Sequence, residues 1–174
     1  MAGVDGHAAR VELLPLDGEM VRVRLDTDDF QLVRAVAGRP RALHFGPEFP
    51  GDAIVLYPRF RGLGEDGVVA GSYVIVDLDT DEVVGQLGTM GPPSGEQVEI
   101  GYGINVSASG RGIATQAVHD LLVVLDARSD VGRVVARTAE ANPASGRVLE
   151  KNGFVATGRE DSTEGELLIW DRRG

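Results

Sequence analysis

The chain has 174 residues, of which 43% are hydrophobic, and a formal net charge of −10. This length predicts one domain over residues 1–174, with enough apolar side chains for a core. The lack of cysteine excludes disulfides and cysteine nucleophiles, the lack of any run of about 18 apolar residues argues against a membrane span, and the acidic balance argues against a nucleic-acid partner.

The first third of the chain mixes strand and helix signals. Its N-terminus lacks a basic segment followed by an apolar one, so no secretory signal is indicated and a cytoplasmic location is expected. Residues 10–16 (RVELLPL) predict a first strand, whereas residues 18–25 (GEMVRVRL) fit either a strand or a short helix. Residues 26–38 predict a helix, because Asp and Thr caps precede an apolar pattern that ends at glycine. Residues 50–62 predict another helix, broken near Pro58.

The middle third carries clearer patterns. Residues 71–91 predict a hairpin, since two β-rich runs flank the turn DTDE, and residues 98–106 predict the next strand. A helix is predicted after this strand, because apolar residues recur at helical spacing on one face. That face carries Ala117, Val118, Leu121, Leu122 and Leu125. The helix is therefore expected to pack on the sheet through it.

The last third predicts alternating strands and helices. Residues 132–138 indicate a short buried strand, and Asn142, Pro143 and Gly153 mark the cap, first turn and end of a helix. The final two strands are predicted at residues 154–160 and 165–172. The order of elements along the chain predicts an α/β sheet with helices on both faces.

A glycine-rich corner, SASGRGIAT at residues 107–115, separates the predicted strand from the predicted helix. The first N–H groups of a helix lack intrahelical partners and favour an anion, and glycines let the backbone turn such groups onto phosphate oxygens. Gly110 and Gly112 supply this freedom and Arg111 adds positive charge, which favours a diphosphate site. A plain left-handed turn with a surface arginine is the alternative. The corner has neither the Gly-Lys-Ser/Thr of a P-loop nor the spacing of a dinucleotide fingerprint.

Two segments together carry a family resemblance. VEIGYGINVSASGRGIATQAV (98–118), followed by NPASGRVLEKNGF (142–154), resembles the GNAT superfamily of acetyl-CoA-dependent N-acetyltransferases. More narrowly, it is similar to the branch that includes ribosomal-protein N-terminal alanine acetyltransferases, and the resemblance covers roughly residues 71–170. It implies a mixed, mostly antiparallel α/β sheet with helices on both faces. It also implies that the strands at 98–106 and 132–138 are parallel and splayed at the middle of the sheet, and that acetyl-CoA is the acetyl donor.

By this resemblance, backbone N–H groups of the corner hold the coenzyme diphosphate, and the edge of the 98–106 strand pairs with the pantetheine amides. Asn142 bonds the pantetheine arm in addition to capping its helix. The implied coenzyme-binding residues are Ile104, Val106, Ser109, Gly110, Arg111, Gly112, Ile113, Ala114, Thr115 and Asn142. The family's cradle pattern is Gln/Arg-x-x-Gly-x-Gly/Ala. Gly112 and Ala114 match it, whereas Ser109 stands where Gln or Arg is usual.

Alternation along the 98–106 strand indicates a catalytic base. Bulky residues from Val98 to Ile104 would occupy one face, whereas Glu99, Gly101 and Gly103 would share the other. A carboxylate beside two residues without side chains leaves room for a substrate. Glu99 is therefore the candidate general base, acting through water, with a solvated strand carboxylate as the alternative.

The proton donor to the leaving thiolate follows from the resemblance. Many relatives carry a tyrosine seven residues after the helix-cap asparagine, but this position is Leu149. Ser145, three residues after Asn142, matches the serine of the N-terminal acetyltransferase branch and would donate a proton or hydrogen bond to sulfur. An ordinary helix-turn serine is the alternative. A backbone N–H near Ile104 or Val106 is expected to donate to the oxyanion.

Two functions of different classes fit the sequence. The first is an enzyme that transfers an acetyl group from acetyl-CoA to a primary amine, either a peptide N-terminus or a small amine, by direct attack in a ternary complex. The second is a non-catalytic acyl-CoA-binding sensor or scaffold, which the changes at Ser109 and Leu149 would allow. The acidic charge fits a cationic acceptor or simple solubility. His7, His44 and His119 lack metal-site spacing, so no metal is expected, and both a monomer and a homodimer are open.

Overall fold

A mixed sheet forms the centre of the computed structural model, which describes residues 8–64, 67–163 and 165–173. Among these residues the α-helices are α1 Gly18–Asp26, α2 Ile113–Asp126 and α3 Pro143–Lys151. The strands are β1 Val11–Asp17, β2 Phe30–Val36, β3 Arg39–Phe45, β4 Val68–Asp77, β5 Glu82–Thr89, β6 Gln97–Ile104, β7 Arg133–Ala139, β8 Val155–Ser162 and β9 Gly165–Arg173. Two 3-10 helices lie at Gly51–Phe60 and Val106–Ala108. None of the helices in these ranges has the length and apolar character needed to cross a membrane.

The order of strands in the main sheet is β1-β4-β5-β6-β7-β9-β8. Neighbours in this order are antiparallel except β6 and β7, which are parallel. A hairpin of β2 and β3 joins β5 through a short parallel contact at His44 and Phe45. The mostly antiparallel sheet, with a parallel pair at its middle, confirms the predicted fold class.

The parallel pair of β6 and β7 is joined along part of its length. Pairing begins at Gln97 and Arg133 and ends at Ile100 and Ala136, although both strands continue beyond that point. The two strands are therefore parallel and separated at their C-terminal ends, as the sequence predicted. β6 ends before Val106, which instead begins the second 3-10 helix.

Helices cover both faces of the sheet, and successive side chains of β4 pack into the two different cores that result. Ile75 belongs to one buried cluster, whereas its neighbours Val74 and Val76 belong to another. The first cluster, named here the α2 core, contains the whole predicted apolar face of α2, from Ala117 to Leu125, with part of α3. The second contains residues of α1 and of the first 3-10 helix. Because burial of each large aliphatic side chain is worth about 1.5–3 kcal/mol, the apolar face fixes α2, and with it the corner, against the sheet.

The helix predicted at residues 26–38 is wrong, because Asp26 ends α1, Phe30–Val36 form β2, and Ala37 and Gly38 form the turn into β3. Buried or half-buried side chains alternate with exposed ones from Phe30 to Val36, which is the period of a strand. Ala37 and Gly38 have φ of 49° and 73°, as a tight hairpin turn requires. These residues form a strand because they pair with β3, which the sequence patterns did not predict. This pairing outweighs the local preference of the capping residues for a helix.

Two early segments take helical forms. Residues 18–25 lie in α1, where the Asp17 carboxylate accepts a hydrogen bond from the Met20 N–H at 2.8 Å. The helix predicted at residues 50–62 is present as a 3-10 helix over Gly51–Phe60, but it contains Pro58 without the predicted break. The predicted strands at 10–16, 132–138, 154–160 and 165–172 are confirmed as β1, β7, β8 and β9 to within two residues at each end.

Candidate functional site

The glycine-rich corner opens α2 with left-handed backbone. Gly110 and Gly112 have φ of 77° and 79°, which side chains rarely adopt, and Gly112 directly precedes the helix. Within the described residues no side chain caps α2, and a Cβ at either glycine would meet nothing within 4 Å. The first-turn N–H groups of Ile113, Ala114 and Thr115 lack intrahelical acceptors and carry the positive end of the helix dipole. This end of α2 therefore suits an anion.

The N–H groups of Ser107, Ala108 and Ser109, in the first part of the corner, are already used, and that of Ala108 donates to Asn105 O at 3.0 Å. Ser109 donates its N–H to Val106 O at 3.1 Å, inside the second 3-10 turn. Ser107 donates its N–H and its hydroxyl to the Glu48 carboxylate, at 3.1 and 3.2 Å. Ser109 Oγ also donates, to Asn105 O at 3.5 Å, so both its N–H and its hydroxyl have partners within the corner region. The N–H groups from Gly110 onward are the candidates for a diphosphate cradle.

The side chain of Arg111 contacts a carboxylate at the end of β4. Its Nη2 donates to Asp77 Oδ2 at 2.6 Å. Asp77 ends β4 and is 2% exposed, whereas the Arg111 side chain is 46% exposed. The arginine is therefore fixed to a buried carboxylate at the β4–β5 turn, which the sequence did not predict.

On the side of β6 that faces β7, the part of the chain that the structure describes provides no strand partner beyond Ile100. Glu99 O accepts from the N–H of Met90, just after β5, at 2.8 Å, and the Asn105 N–H donates to Val84 O of β5 at 2.7 Å. The odd-numbered residues of β6 therefore direct their polar backbone groups toward β5. The backbone N–H and C=O groups of Tyr102 and Ile104 point away from β5, on the side where pairing with β7 has already ended at Ile100. An extended ligand could bond there as an added strand would. Val106 lies past this edge, in the second 3-10 helix.

Glu99 lies on the face of β6 that is opposite to α2. Its neighbour Ile100 is buried in the α2 core, so the alternation predicted for this strand is confirmed. A Cβ at Gly103 would meet nothing within 4 Å, whereas a Cβ at Gly101 would lie 3.0 Å from the Met90 sulfur. The face that carries Glu99 is therefore open at Gly103 and covered by Met90 at Gly101.

An arginine holds the Glu99 carboxylate. Arg137 of β7 forms an ion pair with Glu99, and it also binds Glu160 of β8 at 3.0 Å. The hydrogen bonds to Glu99 and then to Glu160 raise the pKa of the Arg137 guanidinium above its ordinary value. The ion pair holds the Glu99 carboxylate in one position on this face of β6. The candidate base thus belongs to a network of three partly exposed side chains.

A buried tyrosine lies beside the open surface of the sheet at Gly103. Gln86 of β5 pairs directly with Gly103, so the two residues share one face of the sheet. The Tyr57 hydroxyl donates to Gln86 Oε1 at 2.7 Å, and burial raises the pKa of Tyr57 well above its ordinary value. Phe49 and Phe60 pack edge-on against the Tyr57 ring. The first 3-10 helix therefore lies beside the open surface at Gly103, and no local pattern in the sequence predicted this arrangement.

Helix α3 begins on the α2 side of the sheet, beside the place where β6 and β7 separate. Asn142 Oδ1 accepts from the Ser145 N–H at 3.2 Å, so Asn142 caps the helix as predicted. The Tyr102 hydroxyl donates to Ser145 O at 2.7 Å, and burial raises the pKa of Tyr102 to about 12. Leu149 is fully buried in the α2 core. The first turn of α3 is thus tied to the open part of β6.

The histidines are not grouped. Among the described residues no set of three His, Cys, Asp or Glu side chains is arranged to hold a metal ion. His44 lies between Asp29 and Glu82, with its ring nitrogens 3.0 and 3.2 Å from their carboxylates. His119 is exposed on α2. His7 lies outside the described residues.

Comparison with known sequences identifies relatives over most of the chain. The family model described as "Acetyltransferase (GNAT) domain" matches residues 22–155. The Bacillus subtilis (strain 168) protein "Uncharacterized N-acetyltransferase YjdG" is 31% identical over 150 residues, which cover 79% of this chain and 88% of that protein.

Solved structures share the fold at lower identity. A GNAT-family acetyltransferase from Bacillus anthracis has a TM-score of 0.57 and 17% identity, over 70% of this chain and 73% of that one. A chimera of the spermidine N-acetyltransferase SpeG, from Vibrio cholerae and hSSAT, has a TM-score of 0.64 and 14% identity, over 95% and 96% of the two chains. At these identities the likeness concerns the fold alone.

Proposed function

The chain belongs to the GNAT family of acetyl-CoA-dependent N-acetyltransferases, and we propose that it acetylates a primary amine, either a peptide N-terminus or a small amine, by direct attack within a ternary complex. The observation that carries this proposal is the continuity of two open features. The unpaired edge of β6 at Tyr102 and Ile104 leads through the second 3-10 helix to the uncapped N-terminus of α2. An extended amide chain that ends in a diphosphate matches both.

The residues present fit acetyl-CoA. N–H groups from Gly110 to Thr115 would bind the diphosphate, the β6 edge at Ile104 would bind the pantetheine amides, and Asn142 would bind the same arm. Acetyl-CoA supplies an acetyl group already activated as a thioester. Ser109 stands where relatives carry Gln or Arg. The N–H groups of a helix end need no side chain to bind phosphate, so this substitution is compatible with a working cradle.

The two candidate catalytic residues would act from opposite faces of the sheet. Glu99 lies on the open face, where its carboxylate would accept the proton of the amine, directly or through water. Ser145 lies in the first turn of α3 on the other face, where its hydroxyl would donate to the sulfur. The separation of β6 from β7 would let the two reacting groups meet between them. A backbone N–H on the open β6 edge would donate to the developing oxyanion.

The acceptor is proposed from chemistry and from branch similarity. An α-amino group has an ordinary pKa near 7.7–8.0, against about 10.4 for a lysine amine, so at neutral pH far more of it is the free nucleophile. The position of Ser145, three residues after Asn142, matches the serine of the branch of N-terminal alanine acetyltransferases and supports a peptide acceptor. The net charge of −10 also raises the local concentration of small cationic amines, which keeps polyamines in the same test.

An acetyl-transfer screen tests the proposal. Coenzyme A release from acetyl-CoA is measured over peptides with N-terminal alanine or serine, free amino acids, polyamines and aminoglycosides, with N-acetylated peptides as blocked controls. The expected result is turnover of an unblocked peptide or small amine and none of its blocked form. Coenzyme A binding without turnover over the whole panel would instead support a sensor or scaffold.

A further inference from the structure

Asp77 is a buried carboxylate with two hydrogen-bond donors from different parts of the chain. Its Oδ1 accepts from the N–H of Asp79 in the β4–β5 turn at 3.0 Å, and its Oδ2 accepts from Arg111 at 2.6 Å. Asp77 is 2% exposed. A buried carboxylate without a cation is strongly unfavourable, so the folded chain depends on Arg111 remaining at Asp77.

The corner that carries Arg111 needs such an anchor. Gly110 and Gly112, on either side of Arg111, both have left-handed φ, and glycine has more backbone freedom to lose than any other residue. The N-terminal end of the same corner is fixed separately, because Ser107 donates twice to Glu48. The corner is thus held at two points by carboxylates that lie elsewhere in the sequence.

We propose that Arg111 is a positioning residue of the diphosphate cradle: its side chain holds the glycine corner against Asp77, and its guanidinium does not bind phosphate. This inference rests on the proposed coenzyme site. Moving the guanidinium to a phosphate would leave Asp77 buried without its cation, which opposes the exchange. Holding the corner in one conformation instead reduces the entropy lost when a ligand binds to its N–H groups.

The proposal predicts whether a substitution at Asp77 weakens or strengthens coenzyme A binding. If Arg111 only positions the corner, Asp77→Asn and Arg111→Met each weaken coenzyme A binding by roughly tenfold, and the double variant is no weaker than either single one. If Arg111 binds phosphate, Asp77→Asn releases the arginine and leaves the affinity unchanged or stronger. That second result would overturn the proposal. Calorimetry with coenzyme A measures each affinity.

Arg111 variants give an independent readout that does not depend on folding of Asp77→Asn. Exposed charge contacts are screened by salt, so loss of a phosphate contact would flatten the salt dependence of coenzyme affinity. We expect Arg111→Met to weaken binding with an unchanged salt slope, and Arg111→Lys to restore part of the affinity. We also expect KM for acetyl-CoA to rise while kcat at saturation stays near that of the wild type. A flattened slope contradicts the inference.

Arg128→Met is the matched control, because it removes an equal charge at the other end of α2. Arg128 is exposed and pairs with Asp130 at 2.7 Å. The Arg128→Met variant should leave both the affinity for coenzyme A and its salt dependence unchanged. Absence of coenzyme A binding by the wild-type protein would refute the proposed function itself. Wild-type binding with a strengthened Asp77→Asn variant would refute the role of Arg111 alone.

Discussion

The phenol of Tyr102 on β6 donates a hydrogen bond of 2.7 Å to the backbone carbonyl of Ser145 in α3. This bond joins two elements that lie 43 positions apart in the sequence. It fixes the first turn of α3, and with it the Ser145 side chain, relative to the open β6 edge. Because Leu149 offers no hydroxyl, the placement of Ser145 is central to any proton donation from this helix.

Tyr102→Phe is expected to lower kcat/KM while the fold persists. Removal of one hydrogen bond should destabilise the fold by about 0.5–1.5 kcal/mol, a drop in Tm of a few degrees. Displacement of Ser145 should reduce kcat/KM by roughly tenfold or more, since small errors of position near the reacting atoms are costly. The loss should be constant from pH 6 to 9, because the pKa of Tyr102 is raised to about 12 and its phenol stays protonated. A pH–rate profile with unchanged kcat/KM would contradict this positioning role.

Glu99→Gln keeps the shape of the side chain and removes the proposed base. We expect kcat/KM to fall by roughly 10²–10⁴, the usual range for general acid–base catalysis. The loss should shrink as pH rises toward the pKa of the acceptor amine, because more amine is then already neutral. Glu160→Gln, which removes the other carboxylate bound by Arg137, is the control and should have a much smaller effect. A loss in Glu99→Gln that is independent of pH would favour substrate positioning over proton transfer.

Arg137→Met tests the cation that holds Glu99. Loss of this ion pair frees the Glu99 side chain, so kcat/KM should fall by roughly tenfold, because small errors of position near the reacting atoms are costly. Arg159→Met is a matched control, since Arg159 also joins two carboxylates, those of Glu140 and Glu166. An equal fall of kcat/KM in both variants would indicate a general change in surface charge.

The sequence predicted the elements around the site better than the N-terminal third. Gly112 before α2 and Asn142 before α3 are local signals, since the first needs left-handed backbone and the second a side-chain acceptor. The apolar face of α2 has a period that only a helix produces. Residues 26–38 carried caps that also suit a hairpin, and long-range pairing of β2 with β3 made the strand. Local patterns therefore sufficed where one conformation was strongly required.

Contacts between residues that are distant in the sequence could not be predicted from it. Arg111 was expected to add charge to the cradle, but its contact with Asp77 spans 34 positions and depends on the β4–β5 turn lying beside α2. Arg137 and Glu99 meet because β6 and β7 are adjacent parallel strands. Neither pairing leaves a periodic or motif-like trace, so only the assembled sheet reveals it.

Gly112→Asp should abolish coenzyme binding with limited effect on folding. The added carboxylate would face the N–H groups that are proposed to bind phosphate, and its Cβ would meet nothing within 4 Å. Left-handed φ at this position costs a non-glycine residue about 1–2 kcal/mol, and Asp tolerates it better than most. Calorimetry with coenzyme A, together with thermal unfolding, separates the two effects. Gly112→Asn, which carries the same strain without the charge, should bind more tightly than Gly112→Asp, and equal affinities would contradict repulsion of the diphosphate.

His44 should make the stability of the β2–β3 hairpin depend on pH. Hydrogen bonds to Asp29 and then to Glu82 raise the pKa of His44 above its ordinary value in the folded state. A raised folded pKa means that the stabilisation is fully present below the unfolded pKa, about 6.5, and is lost as pH rises through the folded pKa. The Tm difference between wild type and His44→Gln should therefore be largest near pH 5.5 and small near pH 9. His119→Gln, on exposed α2 surface, should give a small difference at both values. Measurement above pH 5 keeps ordinary carboxylates ionised, so a His44→Gln difference that is equal at pH 5.5 and pH 9 would show that the charged imidazole contributes nothing to the fold.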